Sequence, residues 1–340
     1  MIALILAGIT SLLFMKNCAF RFLLQALRIT AFFLLFSACG KDPLPLPVFR
    51  ELPVPTTDDL TAVWFTDSVH GYATSGTPWR SGAILSTADG GQTWHTDTLL
   101  SNRMECVMFD AAGRGYVCGM DGLALVRWPG EPYWHPFRMD YSWNRGCFFW
   151  NQQHGIIVAG EGFETGKARK LGPEAIWFQD TVHQFPNALS AVWLSDSLTV
   201  HAVGLGWVLR SDDGGRSWQR LPPTGDFFRA VHFPTPDTGY ICGHNGTILK
   251  TTDKGQNWYT IREGGAFGSA NQPFRALWFT SSERGYAVGD EGLLWRTENG
   301  AADWTPLTGL PESADASDVF VLGRRGWITT DGGRMFYFEE

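Results

Sequence analysis

The sequence predicts an all-β fold, a seven-bladed β-propeller of four-stranded antiparallel blades, and three observations predict it. A unit of about 42 residues recurs seven times, a turn motif recurs inside it, and the composition is rich in turn formers and aromatics. The chain has 39 Gly, 16 Trp and 24 Phe against 18% charged residues, a mixture that suits short strands and tight turns better than long helices. A length of 340 residues would by itself suggest about two domains, but propellers hold a longer chain in one unit.

Residues 1–38 differ in kind from the rest. They are apolar, carry no acid, and place Lys16, Arg21 and Arg28 ahead of the apolar run from Ile29 to Ala38. That is the pattern of a secretory signal, with an apolar segment too short to cross a bilayer. The stretch Ile2 to Phe14 has no basic residue before it, so translation is expected to start at Met15. The run Leu35-Phe36-Ser37-Ala38-Cys39-Gly40 resembles a bacterial lipobox, which implies lipidation of Cys39 and a protein exported and tethered to a bacterial membrane, on the outer-membrane or periplasmic side. Residues 39–47 then form the anchor and a proline-rich tether, and residues 48–340 the propeller. Stable anchoring needs more than one acyl chain, as a lipoprotein supplies.

Without residues 1–38 the chain keeps 24 Lys+Arg against 34 Asp+Glu, a formal balance of -10, which argues against a nucleic-acid binder. Cys106, Cys118, Cys147 and Cys242 fall in expected strands and show no metal-ligand spacing, so they are expected to be small buried apolar residues, with no metal and no cofactor.

The repeat is counted in two ways. An apolar strand followed nine residues on by a turn-and-strand element occurs seven times, from Ala62-Val63-Trp64-Phe65 with Gly71-Tyr72-Ala73 to Asp318-Val319-Phe320-Val321 with Gly326-Trp327-Ile328, the last being one residue shorter. The Asp box, S/T-x-D-x-G-x-T-W, occurs at Thr87 to Trp94, Ser211 to Trp218 and Thr251 to Trp258, and in eroded form at Thr297 to Trp304. Its Asp89, Asp213 and Asp253 are expected to cap a hairpin by accepting backbone N–H bonds, while Trp94, Trp218, Trp258 and Trp304 bury rings beneath it. Spacing exposes a decoy: Thr329-Thr330-Asp331-Gly332-Gly333 sits at the earlier offset of the turn before a third strand. The last blade is then one strand short, and Val48 to Val54 is expected to supply it and close the ring.

The unit G-Y-x-x-G-x-x-G-x-[IL]-L-x-[ST]-x-D-x-G-x-x-W, clearest in Gly239 to Trp258, resembles the seven-bladed photosystem II assembly and stability factor family, over essentially the whole chain after the tether. The resemblance implies a chaperone-like binder of membrane-protein intermediates with an arginine-rich patch. Relatives of this type also occur where there is no photosystem, so the client does not carry over. Through the Asp box alone the chain is similar to sialidases and other glycosidases.

Ligands of propellers gather on the face where each blade's innermost strand begins, together with the turns between second and third strands. Arg145, Arg229 and Arg275 stand just before innermost strands, with Glu105 in blade two; the turns offer Asp121, Glu161, His244, Asn245, Asp290, Glu291 and Asp331. Three arginines at one repeat position could hold a carboxylate, a phosphate or an acidic partner segment by bidentate bonds, or could each pair with an acid of a neighbouring blade and only fix packing. The segment Phe137 to Trp143 and the loop Arg262 to Arg275 are expected to border this face. Two functions are compatible with the pattern. One is a non-catalytic, monomeric envelope module that docks a protein or glycan partner on the arginine-lined face. The other is a lipid-anchored glycosidase of the sialidase type, for which Tyr141 with Glu105, or Glu161 with Asp290, are the nominated pairs, although the sialidase Arg-Ile-Pro element is missing.

Overall fold

A computed structural model describes residues 47–162, 165–171, 179–222, 225–265 and 273–340. Cys39, the signal and most of the tether lie outside the described residues, as does the middle of the loop from Arg262 to Arg275. The described chain forms seven four-stranded antiparallel sheets. Six of them use four strands consecutive in sequence, the first strand innermost and the fourth outermost. The seventh contains Ala316–Leu322, Arg325–Thr330 and Arg334–Glu339, and its outer strand is Val48–Leu52, paired from Val48 opposite Glu339 to Leu52 opposite Met335. The decoy box is the turn between the second and third of these strands, as its spacing predicts.

Repeated side-chain contacts explain the repeated residues. The aromatic that ends an innermost strand lies across the first residue of the second strand, and a Cβ there would sit 2.5 Å from the Phe65 ring at Gly71 and 2.5 Å from the Phe233 ring at Gly239. Glycine is required there for space. Blade four, where Leu194 replaces the aromatic, tolerates Val200 at the same place.

The next residue stacks on the following blade's aromatic. Tyr116 lies 3.6 Å from Phe149, Tyr240 3.6 Å from Phe279, and His201 4.2 Å from Phe233. Trp327 of the last blade, fully buried, stacks on Phe65 of the first at 3.7 Å, so the ladder closes on itself. The box tryptophans meet the same rings edge-on, Trp94 on Phe65 at 5.9 Å and Trp258 on Phe233 at 5.7 Å, the preferred arrangement for aromatic pairs. Trp134 of the degenerate second box does likewise with Phe109, at 6.0 Å.

The boxes are self-contained turns. Asp89 Oδ1 accepts from Thr93 N at 3.0 Å and Thr87 Oγ1 at 2.8 Å, and its Oδ2 accepts from Thr93 Oγ1 at 2.6 Å. Asp213 and Asp253 repeat the pattern with Ser217 and Asn257. These bonds hold the Asp89 carboxyl down to about 2, the Thr93 hydroxyl contributing most.

Two families of backbone hydrogen bonds sort the turns onto opposite faces. The box turns donate to the turn between first and second strands, as Gly90 N does to Val69 O and Gly214 N to Leu198 O. The turns between second and third strands donate instead to the residue two before the innermost strand's bulge, as Met120 N does to Arg103 O and His244 N to Phe227 O.

Candidate functional site

All seven innermost strands carry a β-bulge near their start. The residue skipped in the pairing is Thr61, Glu105, Arg145, Ser190, Arg229, Arg275 and Ser317 in turn around the ring. A bulge re-aims one side chain out of the sheet's alternation, and here all seven line one central cavity of about 450 Å³. Below them comes a layer of small residues, Ala62, Cys106, Gly146, Ala191, Ala230 and Ala276, broken by Asp318. Three residues beyond each bulge stand Trp64, Met108, Phe148, Trp193, His232, Trp278 and Phe320. Their rings close the far end, with Trp193 to His232 and His232 to Trp278 both at 4.4 Å and Trp278 to Phe320 at 4.5 Å. The channel is therefore a cup that opens on the face away from the Asp boxes. Burial lowers His232 to about 3, so the floor is uncharged.

Above the bulge ring lies a vestibule of about 360 Å³ lined by Arg103, Arg145, Arg229 and Arg275, by Asp59, Glu105, Asp290 and Asp331, and by Pro78, Trp143 and His244. The three arginines singled out from the repeat meet here but are differently engaged. Arg275 is committed: its Nε pairs with Asp290 of its own blade and its Nη1 with Asp331 of the next, at 2.8 Å. Burial would lower its guanidinium, and the two carboxylates outweigh that and raise it. Arg145 donates from Nε to Gly160 O at 3.2 Å and lies 3.4 Å from the centre of the Trp143 ring. Burial lowers it to about 10, against the opposing pull of Glu105, so it remains a cation. Arg229 has no hydrogen bond or ion pair among the described residues, only a contact over the Phe227 ring at 4.9 Å. Burial first, and then the charge of Arg275, lower its guanidinium.

Glu105 accepts from Trp143 Nε1 at 2.7 Å and from Arg103 Nε at 3.1 Å, and Arg103 also reaches Asp59 at 2.8 Å. Burial pushes the Asp290 carboxyl up despite its arginine. Asp318, inside the cup, accepts from Val63 N at 3.0 Å and Val319 N at 2.9 Å, clasping the last blade to the first, and burial raises it to about 7.

Other expected rim residues stand on this face but outside the cavity lining. Asp121 pairs with Arg138 at 2.5 Å. Glu161 and Glu291 are exposed, and Asn245 is buried with its N–H on Asp226. Tyr141 is exposed, under the Arg138 guanidinium, and Glu105 is held by Trp143 and Arg103. Glu161 is not among the residues that line the vestibule, where Asp290 is held by Arg275.

The sequence reading missed Asp59, Arg103 and Asp318, and the polar ring members Thr61, Ser190 and Ser317. Asp59 and Arg103 occupy the position two before the bulge, the acceptor position of the turn hydrogen bonds, and aligning that column across blades would have found them. The cysteines depart from expectation in one respect. All four are free and lie in strands, three of them buried as expected, but three converge: the sulfur atoms of Cys106, Cys118 and Cys147 lie within 4.8 Å of one another.

The family model of the photosynthesis system II assembly factor Ycf48 matches residues 219–313, the stretch that holds Arg229, His244, Arg275 and Asp290. Over 243 residues the chain is 25% identical to the chloroplast photosystem II stability/assembly factor HCF136 of Arabidopsis thaliana, covering 64% of this chain and 58% of that one. It is 26% identical over 187 residues to the photosystem II assembly protein Ycf48 of Synechococcus sp. (strain JA-3-3Ab), covering 50% and 53%. The chain spans about half the length of the curated relatives it matches. The solved structure of Ycf48 bound to D1 peptide shares the fold, with a TM-score of 0.66 and 17% identity over 87% of this chain and 100% of that one. In repeat motif, seven-bladed architecture and these matches the chain is similar to the BNR-type propellers of the photosystem II assembly factors Ycf48 and HCF136.

Proposed function

We propose that this protein is an assembly-factor-like binding module that captures an acidic, extended segment of a protein partner in the mouth of its cup, close to a membrane. The observation that carries the reading is Arg229. A guanidinium held in a partly desolvated cavity with no carboxylate paired to it among the described residues is a strong receptor for one supplied by a partner, because charge-assisted bidentate bonds gain strength where water is excluded. Arg145 on its Trp143 platform offers a second cation, whereas Arg275 serves to fix blades six and seven. That a relative has been solved with a protein peptide bound agrees with a peptide as the ligand class.

Crosslinking and pull-down from native membranes with the full chain as bait tests this. Arg229→Glu is expected to weaken capture by at least about tenfold, the low end of what breaking a desolvated charge pair costs, while Glu161→Lys, outside the cup, leaves it unchanged. Equal loss in both variants, or none in either, refutes a site at Arg229.

The membrane tether is part of the same reading. Metabolic labelling with an alkynyl fatty acid is expected to mark the wild type and to fail on Cys39→Ser, which would be released into the soluble fraction. Equal membrane association of the two would remove the lipid anchor.

A further inference from the structure

We propose that Cys106, Cys118 and Cys147 form a three-sulfur site for a soft monovalent cation, Cu(I), set between blades two and three and reached from the central cup. Cys106 and Cys118 face each other across the first two strands of blade two, and Cys147 comes from the innermost strand of blade three. Cys106 Sγ lies 3.2 Å from Cys147 Sγ and 3.5 Å from the Cys147 carbonyl oxygen. Cys106 is partly exposed and lines the cavity, while Cys118 and Cys147 are buried, so the site has an entry path and a closed back wall.

Comparison among the blades separates a site from ordinary filling. Where blade three has Cys147, the other blades have Val63, Val107, Val192, Val231, Leu277 and Val319, so an aliphatic residue serves packing at this position. Blade five places Cys242 opposite Ala230, as blade two places Cys118 opposite Cys106, and this lone thiol is the small apolar residue that the spacing suggests. Among the described residues, three cysteine sulfurs meet only between blades two and three.

The donor set selects the metal. Soft thiolates favour Cu(I), whereas structural Zn(II) almost always takes four ligands. Among the described residues no His or carboxylate joins the cluster to supply a fourth. The thioether of Met108 lies in the same packed cluster, and its sulfur accepts from Phe149 N at 3.0 Å.

Titrating the reduced full chain with Cu(I) against a chromophoric Cu(I) chelator tests the site, with X-ray absorption to count sulfur ligands. One equivalent is expected to bind with an all-sulfur shell of three. Cys147→Val, which restores the residue of five other blades and so keeps the packing, is expected to lower Cu(I) affinity by more than about 100-fold, since removing a ligand costs more than removing the groups that orient it. Cys242→Ala is expected to leave affinity unchanged. Unchanged affinity in Cys147→Val, all copper left on the chelator, retention of Zn(II) against Cu(I), or a Cys106–Cys147 disulfide in protein isolated under native conditions would each overturn the assignment.

Discussion

Deleting Val48–Leu52 is expected to lower the melting temperature of the domain by about 6 °C or more and to promote aggregation. This strand is the outermost of the seventh blade although it comes first in the chain, and its five residues pair in register with Met335 to Glu339. Leu52 is buried against the first and last blades, Phe49 packs on Phe338 at 5.4 Å, and Glu51 accepts two hydrogen bonds from Arg334 at 2.8 and 2.9 Å. The exposed ion pair adds little. The two apolar side chains are worth about 1.5–3 kcal/mol each, and the deletion also bares the hydrogen-bonding edge of Arg334–Glu339, which other chains can then pair with. A loss of about 3–6 kcal/mol is a large share of a typical domain's stability, and at about 2–4 °C per kcal/mol for a chain of this size it gives the shift stated. Replacing the strand by a Gly-Ser segment of equal length should do the same. A melting temperature equal to the wild type's would mean that the ring does not depend on this closure.

Asp140→Ala is expected to destabilise the domain by about 3–5 kcal/mol, far more than its position in a surface loop suggests. The cause is Arg169, whose side chain is wholly buried and whose Nη2 pairs with Asp140 Oδ2 at 2.5 Å while its Nη1 donates to Asn144 at 2.9 Å. Lys167 reaches the same carboxylate oxygen at 2.9 Å, Ser142 donates its hydroxyl to it, and the Ser142 N–H donates to the other oxygen, Oδ1. Burial would raise this carboxyl, but the Ser142 N–H and the two cations prevail and hold it well below the ordinary range. Removing the carboxylate strands a guanidinium in the interior. Urea unfolding measures the loss, and Asp140→Ala/Arg169→Met should recover part of it. A single-variant effect within the ordinary surface range of about 0.5 kcal/mol would refute the buried-pair account. The pH dependence follows from the sign. Because the folded carboxyl is depressed, its contribution is full above the unfolded value near 4 and is lost as pH falls through the folded value. Wild type and variant should therefore converge in acid.

The blade count, the closing strand and the decoy box were legible in the sequence for one physical reason. Each rests on a local, repeated constraint: glycine where an aromatic ring lies on the backbone, aspartate where a turn exposes N–H groups, tryptophan beneath it. Such constraints act within about twenty residues and leave the same trace in every blade. The meeting of Arg145, Arg229 and Arg275 around one vestibule was legible too, because they share a repeat position.

What each of those arginines does was decided only by the tertiary structure. Arg275 is bound to Asp331, 56 residues away, and Arg229 has no such partner among the described residues, yet both occupy the same column of the repeat. The bulge that turns seven side chains into one cavity, the aromatic floor and the meeting of Cys147 with Cys106 have the same origin. Contacts between blades join residues about one repeat apart, and whether they form depends on side-chain reach and on what the neighbouring blade carries, which a pattern within one repeat does not encode. The sequence by itself determined a closed seven-bladed ring and the column of the repeat that carries Arg145, Arg229 and Arg275. Packing between blades determined which of these cations is paired with carboxylates and which three sulfurs converge.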